Sequence, residues 1–105
     1  MKKTIAIAGA TGFIGQWFIE KYKHKFNIIA LSRNKVKYPD STDVNWKQVD
    51  LYSISSTTKA LRGADIAIYL VHSMMPSTRL NQGDFEDTDI LLADNFSRAA
   101  QDCNL

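Results

Sequence analysis

The segment Gly9-Ala10-Thr11-Gly12-Phe13-Ile14-Gly15 constrains this chain more than any other. Before it runs Ile5-Ala6-Ile7-Ala8, short and nearly continuous in apolar character, as a strand buried on both faces should be. After it, Phe13, Ile14, Trp17, Phe18 and Tyr22 recur at helical spacing, which predicts a helix from about Gly12 to Tyr22. Glycines three apart between a buried strand and an amphipathic helix are the context of a dinucleotide-binding turn. In such a turn Gly9 permits the tight exit from the strand, Gly12 lets the backbone approach a pyrophosphate, and Gly15 lets the helix pack closely. The anion then meets free N–H groups and the positive end of the helix dipole. No Gly-Lys-Ser/Thr follows, which excludes a P-loop.

Strand and helix patterns alternate through the rest of the chain. Asn27 to Leu31 reads as a second buried strand, and Asn34 to Asp43, which contains Pro39, as a loop. Val44 to Val49 alternates, with Val44, Trp46 and Gln48 on one face, as an edge strand does. Ser53 is placed to N-cap a helix that turns Ile54, Thr58 and Leu61 inward and ends at Gly63. Ile66 to Val71 is the most hydrophobic strand, followed by a loop from His72 to Gln82. A last helix is expected from about Asp84, with Leu92, Phe96, Ala99, Ala100 and Cys103 on one stripe.

Such a series predicts an α/β fold: a Rossmann-type doubly wound parallel sheet in the order 3-2-1-4, lacking the later strands. The 105 residues are enough for one domain, taken as the front portion of a dinucleotide-binding domain. An apolar fourth strand left at an edge is a pairing liability. The chain is therefore expected either to continue in a longer domain or to be completed by another copy, making a homo-oligomer through that strand.

Composition narrows the partners. Apolar residues make up 45%, charged residues 23%, and the net charge is +2, too mild for nucleic-acid or membrane-surface binding. The apolar stretch near the N-terminus is short and broken by Gly9, Gly12 and Gly15, and none approaches the roughly 20 residues of a membrane span. A single cysteine, Cys103, excludes an intrachain disulfide and fits a reducing, cytoplasmic setting. No metal site is expected. Trp17, Phe18 and Trp46 read as packing, and His24 as a surface residue at a helix end.

The end of the second strand carries the cofactor signal. Folds that hold NAD(H) place Asp or Glu about 20 residues past the glycines, to bind the ribose hydroxyls. Here the segment is Leu31-Ser32-Arg33-Asn34, without an acid. Arg33 can grip a 2′-phosphate and Ser32 can donate to it, with Lys35 and Lys37 adding positive field. NADP(H) is the expected cofactor and NAD(H) the lesser one, with a plain surface arginine as the alternative. Asp50, after the third strand, can accept from the adenine amino group while Leu51 packs on the ring; otherwise Asp50 caps the next turn.

Gly9 to Gly15, Ser32-Arg33, Asp50-Leu51, Gly63-Ala64-Asp65 and Tyr69-Leu70-Val71-His72-Ser73-Met74 together resemble the atypical short-chain dehydrogenase/reductases. The branch most like it is that of NAD(P)H-binding proteins related to the nitrogen-metabolite-repression regulators. That resemblance implies that Gly9, Thr11, Gly12, Phe13 and Ile14 surround the pyrophosphate and that Arg33 meets the ribose phosphate. It implies that Asp50 and Leu51 hold adenine, and that Leu70, Val71 and His72 line the ribose and nicotinamide side. Members of that family typically use a Tyr-x-x-x-Lys pair beyond the fifth strand. None of Tyr22, Tyr38, Tyr52 and Tyr69 has Lys four positions on, so no catalytic residue is assigned. His72 is read as a loop residue that contacts cofactor through its backbone, with an acid–base role as the alternative.

Two functions fit: the NADP(H)-binding portion of a reductase or epimerase-like enzyme, or a nucleotide-sensing regulator without turnover. The intact glycine pattern argues against an emptied scaffold. The small-molecule substrate is not readable.

Overall fold

The computed structural model describes residues 2–33, 43–71 and 82–105, and of 82–89 the backbone alone. Its elements are β1 (Thr4–Ala8), α1 (Phe13–Tyr22), β2 (Asn27–Ser32), β3 (Val44–Gln48), α2 (Ile54–Leu61), β4 (Ile66–Tyr69) and α3 (Gln82–Asp102). Nearly all of both long loops, including His72 with Lys35, Lys37, Met74 and Met75, lies outside the described residues.

The four strands form one parallel sheet in the order β3-β2-β1-β4, as the alternating pattern requires. Ala8 pairs with Leu31 on one side and with Tyr69 on the other, and Ser32 pairs with Gln48. The carboxyl ends of all four strands therefore reach one edge.

Side chains alternate across the sheet and divide the core in two. Ala6, Ala8, Ile29 and Leu31 face α2 and α3, where they meet Ala60, Leu61, Phe96 and Ala99. Ile5, Ile7, Ile28, Ala30 and Val44 face the other way, toward Ile19 of α1. Ile7, Ile28, Leu31 and Leu61 are fully buried. Each such side chain contributes about 1.5–3 kcal/mol relative to exposure. The core is thus centred on β1 and β2, with Leu61 of α2 packed against one face.

Four expectations need correction. On α1 the buried residues are Gly15 and Ile19, whereas Phe13 and Trp17 lie on the opposite side, 89% and 53% exposed. Ile14 is also exposed. The cause is Gly15, whose close seat on the turn selects the buried face; the aromatic period does not. Trp17 does not pack inward, and Lys21 instead places its ammonium 4.9 Å from the ring centroid. On α2 the inward threonine is Thr57, not Thr58, and Ile54 is at the surface. Thr57 can be buried because its hydroxyl donates to the Ser53 carbonyl at 2.8 Å and the Asp50 carbonyl at 3.4 Å. The fourth strand ends at Tyr69, short of Val71, and none of its residues is fully buried. Finally, α3 begins at Gln82.

Ser53 caps α2 as expected, its hydroxyl accepting from the Ser56 N–H at 3.1 Å. Cys103 packs against the α2–α3 side of the core and donates to the Thr58 carbonyl, a structural role.

Candidate functional site at the carboxyl edge

The turn after β1 is built almost wholly from backbone. Gly9 has φ +85°, a region that L side chains rarely adopt. A Cβ there would stand 2.8 Å from the Leu70 carbonyl carbon and 3.0 Å from the Val71 nitrogen. The turn is therefore pressed against the end of β4, and Leu70 N–H donates to the Ala8 carbonyl at 2.9 Å. At Gly15 a Cβ would collide with the Gly9 carbonyl and with Ala10. Both glycines thus satisfy contacts inside the protein.

Gly12 is different. A Cβ there would meet only the Gly9 carbonyl, at 3.4 Å, an ordinary contact. Thr11, Gly12, Phe13 and Ile14 are all exposed. Gly12 is the N-cap of α1, no side chain caps that end, and the first turn contains no acid. The open end of α1 therefore offers N–H groups and the positive end of its dipole to an anion.

A second cleft, about 400 Å³, opens beyond the ends of β2 and β3 and is lined by Arg33, Gln48, Val49 and Asp50. Arg33 and Asp50, separated in sequence, are brought together there, and both are exposed. Gln48, which sequence reasoning passed over as a functional residue, donates to the Arg33 carbonyl at 3.4 Å. Ser32 is buried within β2 and does not line the cleft.

Asp50 also anchors the turn that follows it. Its Oδ1 accepts from the Tyr52 N–H at 3.0 Å, its carbonyl accepts from the Ser53 N–H, and its own N–H donates to Ser56 Oγ. The turn-capping alternative is thus present in the structure, and among the described residues the other carboxylate oxygen is not engaged by the turn. Leu51 is half-buried against the core. Leu70 and Val71 are half-buried just past β4, beside Gly9. His72 lies outside the described residues.

Sequence reasoning also missed Asn95 of α3. It is 6% exposed, and its Nδ2 donates to the carbonyls of Leu51 and Tyr52 at 3.0 and 3.1 Å. The signal available was a polar residue on the apolar stripe of a helix, which must find partners.

Comparison with known proteins gives consistent neighbours. The model of the NmrA-like family matches residues 1–88. The auxiliary protein GraX of Staphylococcus aureus is 30% identical over 95% of this chain and 33% of its own length. Among solved structures, UDP-N-acetylglucosamine 4-epimerase from Bacillus cereus superposes with a TM-score of 0.77 at 24% identity, over 99% of this chain and 33% of that one. A Rossmann-fold NAD(P)-binding family protein from Shigella flexneri gives 0.77 at 21% identity, over 100% and 49%. A mutant uronate dehydrogenase from Agrobacterium tumefaciens, complexed with NAD, gives 0.76 at 18% identity, over 95% and 37%. The chain spans about a third of the length of the curated relative, and these structural likenesses establish the Rossmann fold. Among the described residues no helix is long and apolar enough to cross a membrane.

Proposed function

This chain belongs to the NmrA-like family, and from that premise we propose that its carboxyl edge holds NADP(H) as the cofactor-binding portion of a reductase or epimerase-like protein. One observation carries the reading. The uncapped end of α1, with open space at Gly12, lies along the same sheet edge as a cleft holding Arg33 and Asp50. A dinucleotide is a ligand with a central diphosphate and a terminal adenosine, and this edge offers an anion site and a neighbouring polar cleft.

The residues fit the roles. Gly9, Thr11, Gly12, Phe13 and Ile14 present the backbone to the pyrophosphate. Arg33, exposed and with no acid at the end of β2, supplies the positive group for a 2′-phosphate. Asp50 has one oxygen free of the turn for the adenine amino group, and Leu51 offers its exposed part to the ring. Leu70 and Val71, beside Gly9, border the nicotinamide side. When bound, NADP(H) supplies or accepts a hydride. The chain's own part is to bind and orient it.

The competing reading is a regulator that binds the nucleotide without turnover, in the cytoplasm. It is favoured by the relative's designation as an auxiliary protein. Loss of NADPH absorbance in the presence of a reducible substrate supports the enzyme. Saturable binding without oxidation of NADPH across carbonyl substrates supports the regulator.

Self-association through β4 belongs to the same proposal. The β3 edge carries Asn45 and Lys47, whereas the β4 edge is Ile66-Ala67-Ile68-Tyr69 with no charge, and Ile66 is 41% exposed. A second copy's β4 is the proposed occupant. Concentration-dependent sedimentation supports it, and a monomer at high concentration refutes it.

The cofactor assignment is tested by calorimetric titration with NADPH and NADH at fixed salt. A charge-assisted hydrogen bond to phosphate contributes about 1.5–3 kcal/mol, or about tenfold or more in affinity. NADPH should bind tighter by that margin, and Arg33→Ala should remove the gap. Equal binding of both nucleotides by the native chain would overturn the NADP(H) preference.

A further inference from the structure

We propose that Asn95 of α3 is a positioning residue for the adenosine end of the site, holding the Asp50–Tyr52 turn in place from a distant element. The inference rests on the nucleotide reading above. Asn95 sits on the buried stripe of α3 with Leu92, Phe96 and Ala99. A polar side chain at such a position is costly unless it is hydrogen-bonded. Its amide donates both bonds to one place, the carbonyls of Leu51 and Tyr52, 44 and 43 residues away.

The other bonds of that turn are local. The Ser53 N–H and the Thr57 hydroxyl donate to the Asp50 carbonyl, the Asp50 N–H donates to Ser56 Oγ, and the Tyr52 N–H donates to the Asp50 carboxylate. Those bonds set the shape of the turn. Asn95 ties the turn to α3 and so fixes where Asp50 stands at the sheet edge. An apolar residue of similar size would fill the same space and leave two carbonyls without that donor. The site is therefore shaped for an amide, and the groups it serves adjoin the adenosine cleft, where Asp50 is a lining residue.

The test compares native chain, Asn95→Ala and Leu92→Ala. Leu92 is a buried residue of the same helix with no bond to the turn, so its truncation weakens α3 packing alone. Each is titrated with adenosine 2′,5′-bisphosphate, and each is melted. Asn95→Ala should bind about tenfold more weakly, while Leu92→Ala binds as the native chain does despite an equal or larger loss of Tm. Amide exchange is followed without nucleotide, where Tyr52 and Ser53 should exchange faster in Asn95→Ala than in Leu92→Ala. Equal affinity in Asn95→Ala and native, or affinity that merely tracks Tm across both variants, would overturn the proposal. Failure of the native chain to bind would overturn the nucleotide reading instead, and the exchange of Tyr52 and Ser53 then decides whether Asn95 holds the turn.

Discussion

The glycine turn and the Arg33 cleft share one edge of the sheet, yet they are made of different atoms. From Gly9 to Gly15 the contacts that set the turn are made by backbone, and two of its three glycines are fixed by contacts within the protein. Around Arg33, Gln48 and Asp50 the surface is side chain, mounted on strand ends whose backbone is already paired. In the first region, folding and binding depend on the same atoms. In the second, Arg33 can be removed with the fold intact, whereas the Asp50 carboxylate also holds its own turn. Substitutions should therefore move stability at the glycine turn and affinity at Arg33, with Gly12 and Asp50 as the positions that join the two.

The largest effect should come from Gly15→Ala and Gly9→Ala. At Gly15 the added carbon meets backbone that cannot move aside; at Gly9 it meets β4 and also needs φ +85°. Overpacking costs about 1–3 kcal/mol or more, and left-handed backbone a further 1–2 kcal/mol or so. Against a total stability of roughly 5–15 kcal/mol, either variant should melt at least about 10 °C lower or fail to fold. Circular dichroism melts that leave both near the native Tm would break the distinction at its base.

Gly12→Ala comes next and sharpens it. The backbone there, φ −74° and ψ 171°, suits alanine, and the space is open. The variant should keep its Tm and lose binding by about tenfold or more, roughly 1.4 kcal/mol, because the methyl stands where the diphosphate approaches. Arg33→Ala should cost about 1.5–3 kcal/mol on NADPH and little on NADH, with Tm unchanged. A fall in Tm comparable to that at Gly15 would show that Arg33 supports the fold.

Gly63→Ala isolates strain from crowding. Gly63 also has positive φ, +88°, but nothing lies within 4 Å of its would-be Cβ. Its cost should be about 1–2 kcal/mol. The excess at Gly9 over Gly63, read from denaturant melts, then measures the contact with Leu70 and Val71.

What could be read from residues alone follows the same division. Gly9, Gly12 and Gly15 announce a backbone requirement in letters, because no other residue meets it at two of the three positions. The strand order follows from alternation, and the cap at Ser53 from its position ahead of an amphipathic segment. Burial on α1 could not be read, because Gly15 dictates the face and a glycine carries no hydrophobic signal. Phe13 and Trp17 therefore seemed to face inward. Thr57 was missed in favour of Thr58 because both hydroxyls make the same local bond, to the carbonyl four residues back, and only packing against the sheet buries one of them. The hold of Asn95 on residues 51 and 52 is longer-range still. The meeting of Arg33 and Asp50 was half legible: each follows a strand, and parallel order puts both at one edge.

The most direct test of the central claim is a calorimetric titration of NADPH into the native chain and into Gly12→Ala, with melts of both. Binding by the native chain should be saturable, and weaker by about tenfold or more in Gly12→Ala at unchanged Tm. Equal affinity in the two proteins would contradict that claim, because the glycine turn would then not be where the diphosphate lies.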